Sequence, residues 1–111
     1  MEYQPVGGFF RYELKVGTIV EAAINERAKK PAYRLVIDFG PDGLKKSSAQ
    51  ITDHYQPSDL IGRQVVAVLN FPPRQVASVN SEVLVLGATD EDGAVVLLGP
   101  DTTVANGTAV S

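Results

Sequence analysis

Two runs of β-branched and aliphatic side chains restrict this chain more than any other feature: Val-Val-Ala-Val-Leu at 65–69 and Val-Leu-Val-Leu at 83–86. Each has the length of a strand and is bounded by turn formers, a pattern that predicts buried β-strands rather than helix. Between them lies Asn70-Phe71-Pro72-Pro73-Arg74, where apolar, aromatic and cationic groups crowd together. Neither proline can donate to a sheet ladder, so the first strand must end there. The Pro-Pro pair also stiffens the loop, and Phe71 and Arg74 lose little entropy on meeting a ligand. Two core strands holding a rigid, partly apolar, cationic loop suit binding rather than catalysis. The Phe71 ring has two possible places, lining a ligand pocket or turning inward to plug the end of a barrel.

The rest of the chain supplies partners for those strands. From Val16 the hydrophobic period is two through Ile24, and Gly17 predicts a bend or a close backbone approach within that strand. A polar, basic connection at 25–31 carries Arg27, Lys29 and Lys30. A second strand follows, with Tyr33, Leu35, Ile37 and Phe39 on one face. Gly40-Pro41-Asp42-Gly43 is a hairpin signal. The third strand, 44–51, is unusually polar, as expected of a water-facing edge or a ligand-facing surface. Ser58 is the expected N-cap of a short helix that Gly62 ends. Asp90-Glu91-Asp92-Gly93 turns the chain into a last strand at 94–98.

This order predicts an all-β fold, an OB-fold five-stranded Greek-key barrel with a short helix between strands 3 and 4. At 111 residues the chain has room for one core, so a single domain over 1–111 is expected, with extensions at 1–14 and 99–111. Residues 9–14 have the spacing of one or two helical turns. Tyr3, Phe9, Phe10 and Tyr12 would be costly to expose in a monomer; they either cap the open end of the barrel or pack across a subunit interface. Val104 and Val110 are the apolar anchors of the C-terminal tail.

Catalytic constellations are missing. The chain has no cysteine and one histidine, His54, so thiolate chemistry and multi-imidazole metal sites are excluded. No phosphate-cradling glycine motif occurs. Ser47-Ser48 has no placed base, and 90–92 reads as a solvated turn rather than a cation site. No enzymatic activity, cofactor or metal is expected. The apolar runs are far shorter than the roughly 20 residues that span a bilayer, so no membrane insertion is expected. Arg11, Glu13 and Lys15 follow Phe9-Phe10, which argues against a signal peptide and for a cytoplasmic location. The net charge is −3, yet all ten Lys and Arg fall in residues 1–80, while 81–111 carries five acids and no base. A cationic face can therefore coexist with an acidic total.

What remains is a binding surface. Lys46, Ser48 and Gln50 alternate on one face of the third strand, Arg34 on the neighbouring strand can share it, and Asn70, Phe71 and Arg74 flank it. On an OB barrel that face and its loops are the usual ligand site. Aromatic and cationic groups suit splayed nucleic acid, but one loop aromatic is poor support for stacking successive bases. They suit a peptide equally, with Phe71, Pro72 and Pro73 as an apolar pocket and Lys46 or Arg74 meeting carboxylates or carbonyls.

Five segments, VGTIVEA at 16–22, LVIDFG at 35–40, SSAQIT at 47–52, NFPPR at 70–74 and SEVLVLG at 81–87, closely resemble the CsaA proteins. Those are small homologues of the tRNA-binding domain attached to some aminoacyl-tRNA synthetases. The resemblance covers roughly residues 9–108. It implies an OB-fold homodimer acting as a cytosolic, export-related chaperone for unfolded or precursor polypeptides. Family dimers use the terminal extensions, which here assigns Phe9, Phe10, Tyr12, Val104 and Val110 to the interface. The tRNA-binding branch carries a pattern like N-x-K-P-R-x-x-x-G-x-x-S-x-G-M, which Asn70, Pro73, Arg74 and Ser81 match. Pro72, Ser78 and Val83-Leu84 depart from it, and Ala49-Gln50 replace a Ser-Gly pair. Each change removes a charge or a close approach to RNA. Polypeptide is thus the first expected partner, with the export machinery beyond it, and tRNA is the second.

Overall fold

The computed structural model describes residues 1–111. A 3-10 turn at Val6–Arg11 leads into β1, Leu14–Ile24, and then β2, Tyr33–Asp38. A second 3-10 turn, Gly40–Asp42, joins β2 to β3, Leu44–Ala49. The single helix α1, Pro57–Leu60, precedes β4, Gln64–Val68. Five short strands complete the chain: β5 Arg74–Val76, β6 Val79–Ser81, β7 Leu84–Val85, β8 Gly87–Thr89 and β9 Val95–Leu97.

β1 organises the sheet because it changes partner along its length. Residues 14–18 pair with β4 and residues 18–24 with β2, both antiparallel. A register shift between Ile19 and Glu21 adds the local twist that bends the strand around the core. The resulting order is β3-β2-β1-β4-β7. The barrel closes where the Glu82 N–H donates to the Lys46 carbonyl (2.8 Å) and the Lys46 N–H donates back to Glu82 Oε1 (3.0 Å). Ser47 Oγ adds a buried bond to the Val83 carbonyl at 3.2 Å. This nearly closed, five-stranded antiparallel barrel with one short helix is the OB-like architecture expected from the order of elements.

The alternation in the second strand holds: Tyr33, Leu35, Ile37 and Phe39 all point into the core, with Ile19, Ile51, Leu60, Val65, Ala67 and Val83. Gly17 is the close approach that the sequence suggested. A Cβ there would lie 2.7 Å from Ile37 Cγ2 and from the Phe39 ring. On the edge of β1 that β2 does not reach, the C-terminal tail is laid down instead. The Val16 N–H donates to Thr108 (2.9 Å), Gly107 donates to Val16 (2.7 Å) and Val110 donates to Leu14 (2.8 Å). Gln64 holds the start of that tail, donating to the Val104 carbonyl (2.8 Å) and accepting from the Val104 N–H (3.1 Å). Val104 and Val110 are consequently half-buried against their own barrel.

Several boundaries differ from expectation. The helical turn ends at Arg11, because Leu14 already pairs with Val68 in β1. The third strand stops at Ala49, since Ile51 turns into the core. The helix N-cap is Gln56, not Ser58: Gln56 and Asp59 form a reciprocal capping box, with Pro57 as the first helical residue. Of the apolar run at 83–86 only Leu84–Val85 forms a strand, β7, paired with β4, and the chain then continues into β8, paired with β9. The segment after Arg74 is a hairpin of β5 and β6, turning through Ala77 at φ 53. His54 is exposed, as expected, with Nε2 2.6 Å from Asp90 Oδ2. That hydrogen bond, with the Ala94 and Asp92 amides, holds the Asp90 carboxyl below the usual carboxylate range. No helix is long and apolar enough to cross a membrane.

The crowding at Gly17 gives a direct test. Gly17→Ala should destabilise the fold by about 1–3 kcal/mol, the usual cost of forcing a methyl group into a filled core. Urea denaturation of both proteins measures it.

Candidate ligand-binding site

The site is built where β4 ends. The Leu69 N–H donates to the Glu13 carbonyl (2.9 Å), so the loop that follows starts beside the N-terminal segment. Asn70 then brackets that segment: its Nδ2 donates to the Arg11 carbonyl (2.8 Å) and its Oδ1 accepts from the Glu13 N–H (2.9 Å). The residue between these two anchors, Tyr12, is carried against Phe71, with ring centroids 5.7 Å apart and planes at 71°. This edge-to-face packing is a favoured aromatic geometry. Phe71 is 40% exposed and lies outside the core cluster, so it does not plug the barrel.

Beneath that ring is a cleft of about 260 Å³. Phe71, Pro72, Val76, Val83 and Leu84 give it apolar walls, and Ser48, Ser81, Glu82 and Arg74 give it a polar rim. Five expected residues thus meet in one place: Ser48, Phe71, Pro72, Arg74 and Ser81. Arg74 is exposed and makes no ion pair; the chain's two pairs are Lys15–Asp42 and His54–Asp90. Glu82 is held by Lys46 as described. Ser81 Oγ accepts from the Ser48 N–H (3.2 Å) and lies 3.5 Å from Ser47 Oγ, so part of its role is stitching the barrel seam.

The other expected residues are placed elsewhere. Arg34 stands opposite Ser48 and Lys46 opposite Val36 in the β2–β3 register. Arg34 and Lys46 share an adjacent groove with Glu21 and Asn80. Gln50 lines a third cleft, with the basic β1–β2 connection. Asn70 is a bracket for the N-terminal segment, and Pro73 is exposed without lining these clefts. Among the aromatic residues assigned to an interface, Phe9 and Phe10 pack edge to face at 5.3 Å and remain exposed, as does Tyr12. The residues that sequence reading missed are Val76, Glu82, Val83 and Leu84. Leu84 was legible: alternation through 83–85 puts Val83 inward and Leu84 outward, and Leu84 is 49% exposed.

The family model "Putative tRNA binding domain" matches residues 14–109. The chaperone CsaA from Bacillus anthracis has a TM-score of 0.93 and 51% identity, over 99% of this chain and 100% of that one. The CsaA chaperone protein from Picrophilus torridus gives 0.90 and 44%, over 98% and 100%. A MetRS related protein from Pyrococcus horikoshii gives 0.88 and 31% over the full length of both. Methionine--tRNA ligases are similar too, at 36% identity over 102 residues in Porphyromonas gingivalis and 39% over 101 in Methanococcus aeolicus. These alignments cover 92% and 91% of this chain but only 15% and 14% of the ligases. The chain belongs to the tRNA-binding-domain family and is of its CsaA type.

The bracket can be tested apart from any ligand. Asn70→Ala removes both bonds to the N-terminal segment and should cost about 1–3 kcal/mol locally. Amide hydrogen exchange at Glu13 should accelerate by at least an order of magnitude, with exchange at the core amides of β2 little changed.

Proposed function

We propose that this protein is a chaperone that holds unfolded or precursor polypeptides in the Phe71 cleft and serves protein export from the cytoplasm. The observation that carries this reading is the Phe71 ring, exposed yet packed at a steep angle with the Tyr12 ring. An aromatic surface fixed before the ligand arrives binds at low entropic cost. Val76 and Leu84 extend the apolar wall, and Arg74 offers an unpaired guanidinium to carbonyls or carboxylates of an extended chain. At the rim Ser81 Oγ bonds to the Ser48 N–H and the Val83 carbonyl, Ser48 Oγ accepts from Asn25 Nδ2, and the single histidine is paired with Asp90, an arrangement that serves binding without catalysis. Kinship with the CsaA chaperones supports the same reading.

Transfer RNA is the second reading, favoured by the family match and by Arg34, Lys46 and Arg74 on adjoining surfaces. Binding of that kind is carried by phosphate neutralisation and falls steeply with salt, whereas apolar capture does not.

The working unit in this proposal is a homodimer. Met1, Tyr3, Val6, Phe9, Phe10 and Tyr12 form an exposed apolar strip at one terminus, of a kind that monomers rarely leave uncovered. Light scattering should give twice the 11.9 kDa chain mass, and deletion of residues 1–12 should give a monomer or an aggregate. A monomeric mass for the intact chain would refute the dimer.

The cleft itself is tested by Phe71→Ala with two readouts. Affinity for an unfolded polypeptide should fall by about 1–3 kcal/mol, the range for losing a buried aromatic contact. The melting temperature should hold, since the ring lies outside the core. A large drop in melting temperature with unchanged affinity per folded molecule would refute the pocket role.

A further inference from the structure

We propose that the basic cleft between the β1–β2 connection and the β5–β6 hairpin is a subsite for acidic side chains of the polypeptide held at Phe71, an inference that rests on the polypeptide-binding reading. The cleft encloses about 470 Å³ and is lined by Arg27, Lys29, Lys30 and Arg74, with Gln50 and Gln75 as neutral hydrogen-bonding groups. No acid lines it, and none of its four cations makes an ion pair within 4 Å. Glu26, next to Arg27 in sequence, is exposed and is not part of the lining. Four cations around one concavity repel one another, and a carboxylate among them relieves that repulsion while gaining charge-assisted hydrogen bonds.

The two clefts adjoin at β5. Arg74 and Val76 line both of them, at i and i+2 on one short strand. An extended chain rises about 3.3 Å per residue, so a ligand with an apolar side chain at Phe71 brings a residue a few positions away to the basic cleft. The floor there is Ala28, Ala32, Val76 and Ala77, apolar surface suited to the stem of a side chain. No aromatic lines this cleft, so it offers no platform for stacked bases. These features favour a carboxylate on a peptide over a run of nucleotides. The ligand signature is a large apolar residue with Asp or Glu within about two to five positions.

Fluorescence anisotropy with three labelled peptides tests this. Each carries the same Phe-rich centre, with Asp-Glu, Asn-Gln or Lys-Lys pairs at spacings of two to five residues. The intact protein should bind the best acidic peptide about five- to tenfold tighter than the neutral one, with the advantage shrinking as salt rises. The exposed double substitution Lys29→Ala/Lys30→Ala should abolish that advantage and leave neutral-peptide affinity and the melting temperature unchanged. If the neutral peptide binds and the acidic one binds no better, the subsite is overturned while the polypeptide reading stands. If no peptide binds, that reading fails and the subsite with it. If the double variant loses tRNA binding but keeps the acidic preference, the cleft belongs to RNA and the proposal is overturned.

Discussion

The barrel depends on the first half of β1 having a neighbour on both edges. One edge takes β4 at its start, and the other takes β2 at its end, so an unpaired stretch of backbone would be left beside Leu14 and Val16. The C-terminal tail fills that stretch with three backbone hydrogen bonds from 107–110. Buried backbone groups without partners are costly, so the tail is part of the fold and not an appendage. Gly17 permits the arrangement, because only a residue without a side chain lets Ile37 and Phe39 press against the strand at its turning point.

The Phe71 cleft follows from the same geometry. Pairing Leu14 with Val68 puts the start of β1 beside the end of β4, which brings Arg11 and Glu13 within reach of Asn70. Tyr12 is carried along and steadies Phe71. The seam between β3 and residues 81–83 then supplies Ser48, Ser81 and Val83 as the opposite wall. One choice of strand partner therefore sets the barrel, the bracket and the aromatic rim. Affinity in such a site comes from a fixed apolar wall with a few placed polar groups rather than from its size.

Most of the barrel was legible because its signals are local. Alternation marks the inward face of Tyr33, Leu35 and Ile37; Gly-Pro-Asp-Gly marks the hairpin after it; Gly62 marks the end of the helix. The parts that were not legible depend on partners distant in sequence. Val83–Leu86 reads as one apolar strand, yet only Leu84–Val85 pairs with β4 before the chain leaves for the β8–β9 hairpin. The β5–β6 hairpin has three weak strand residues on each side and turns at an alanine, so no turn motif announces it. At the site, residue chemistry singled out Phe71, Pro72 and Arg74. It could not tell that the amide of Asn70 is committed to the chain's own backbone, since its partners lie 57 and 59 residues away.

In the proposed function an unfolded polypeptide occupies the Phe71 cleft. Titration of the isotope-labelled protein with a permanently unfolded polypeptide, followed by amide chemical shifts in NMR, tests it most directly. The shifts should move at Ser48, Phe71, Arg74, Val76, Ser81 and Leu84, saturate together, and leave the opposite end of the barrel around His54 and Asp90 unchanged. Saturable shifts confined to that opposite end, with the Phe71 cleft silent, would contradict the account.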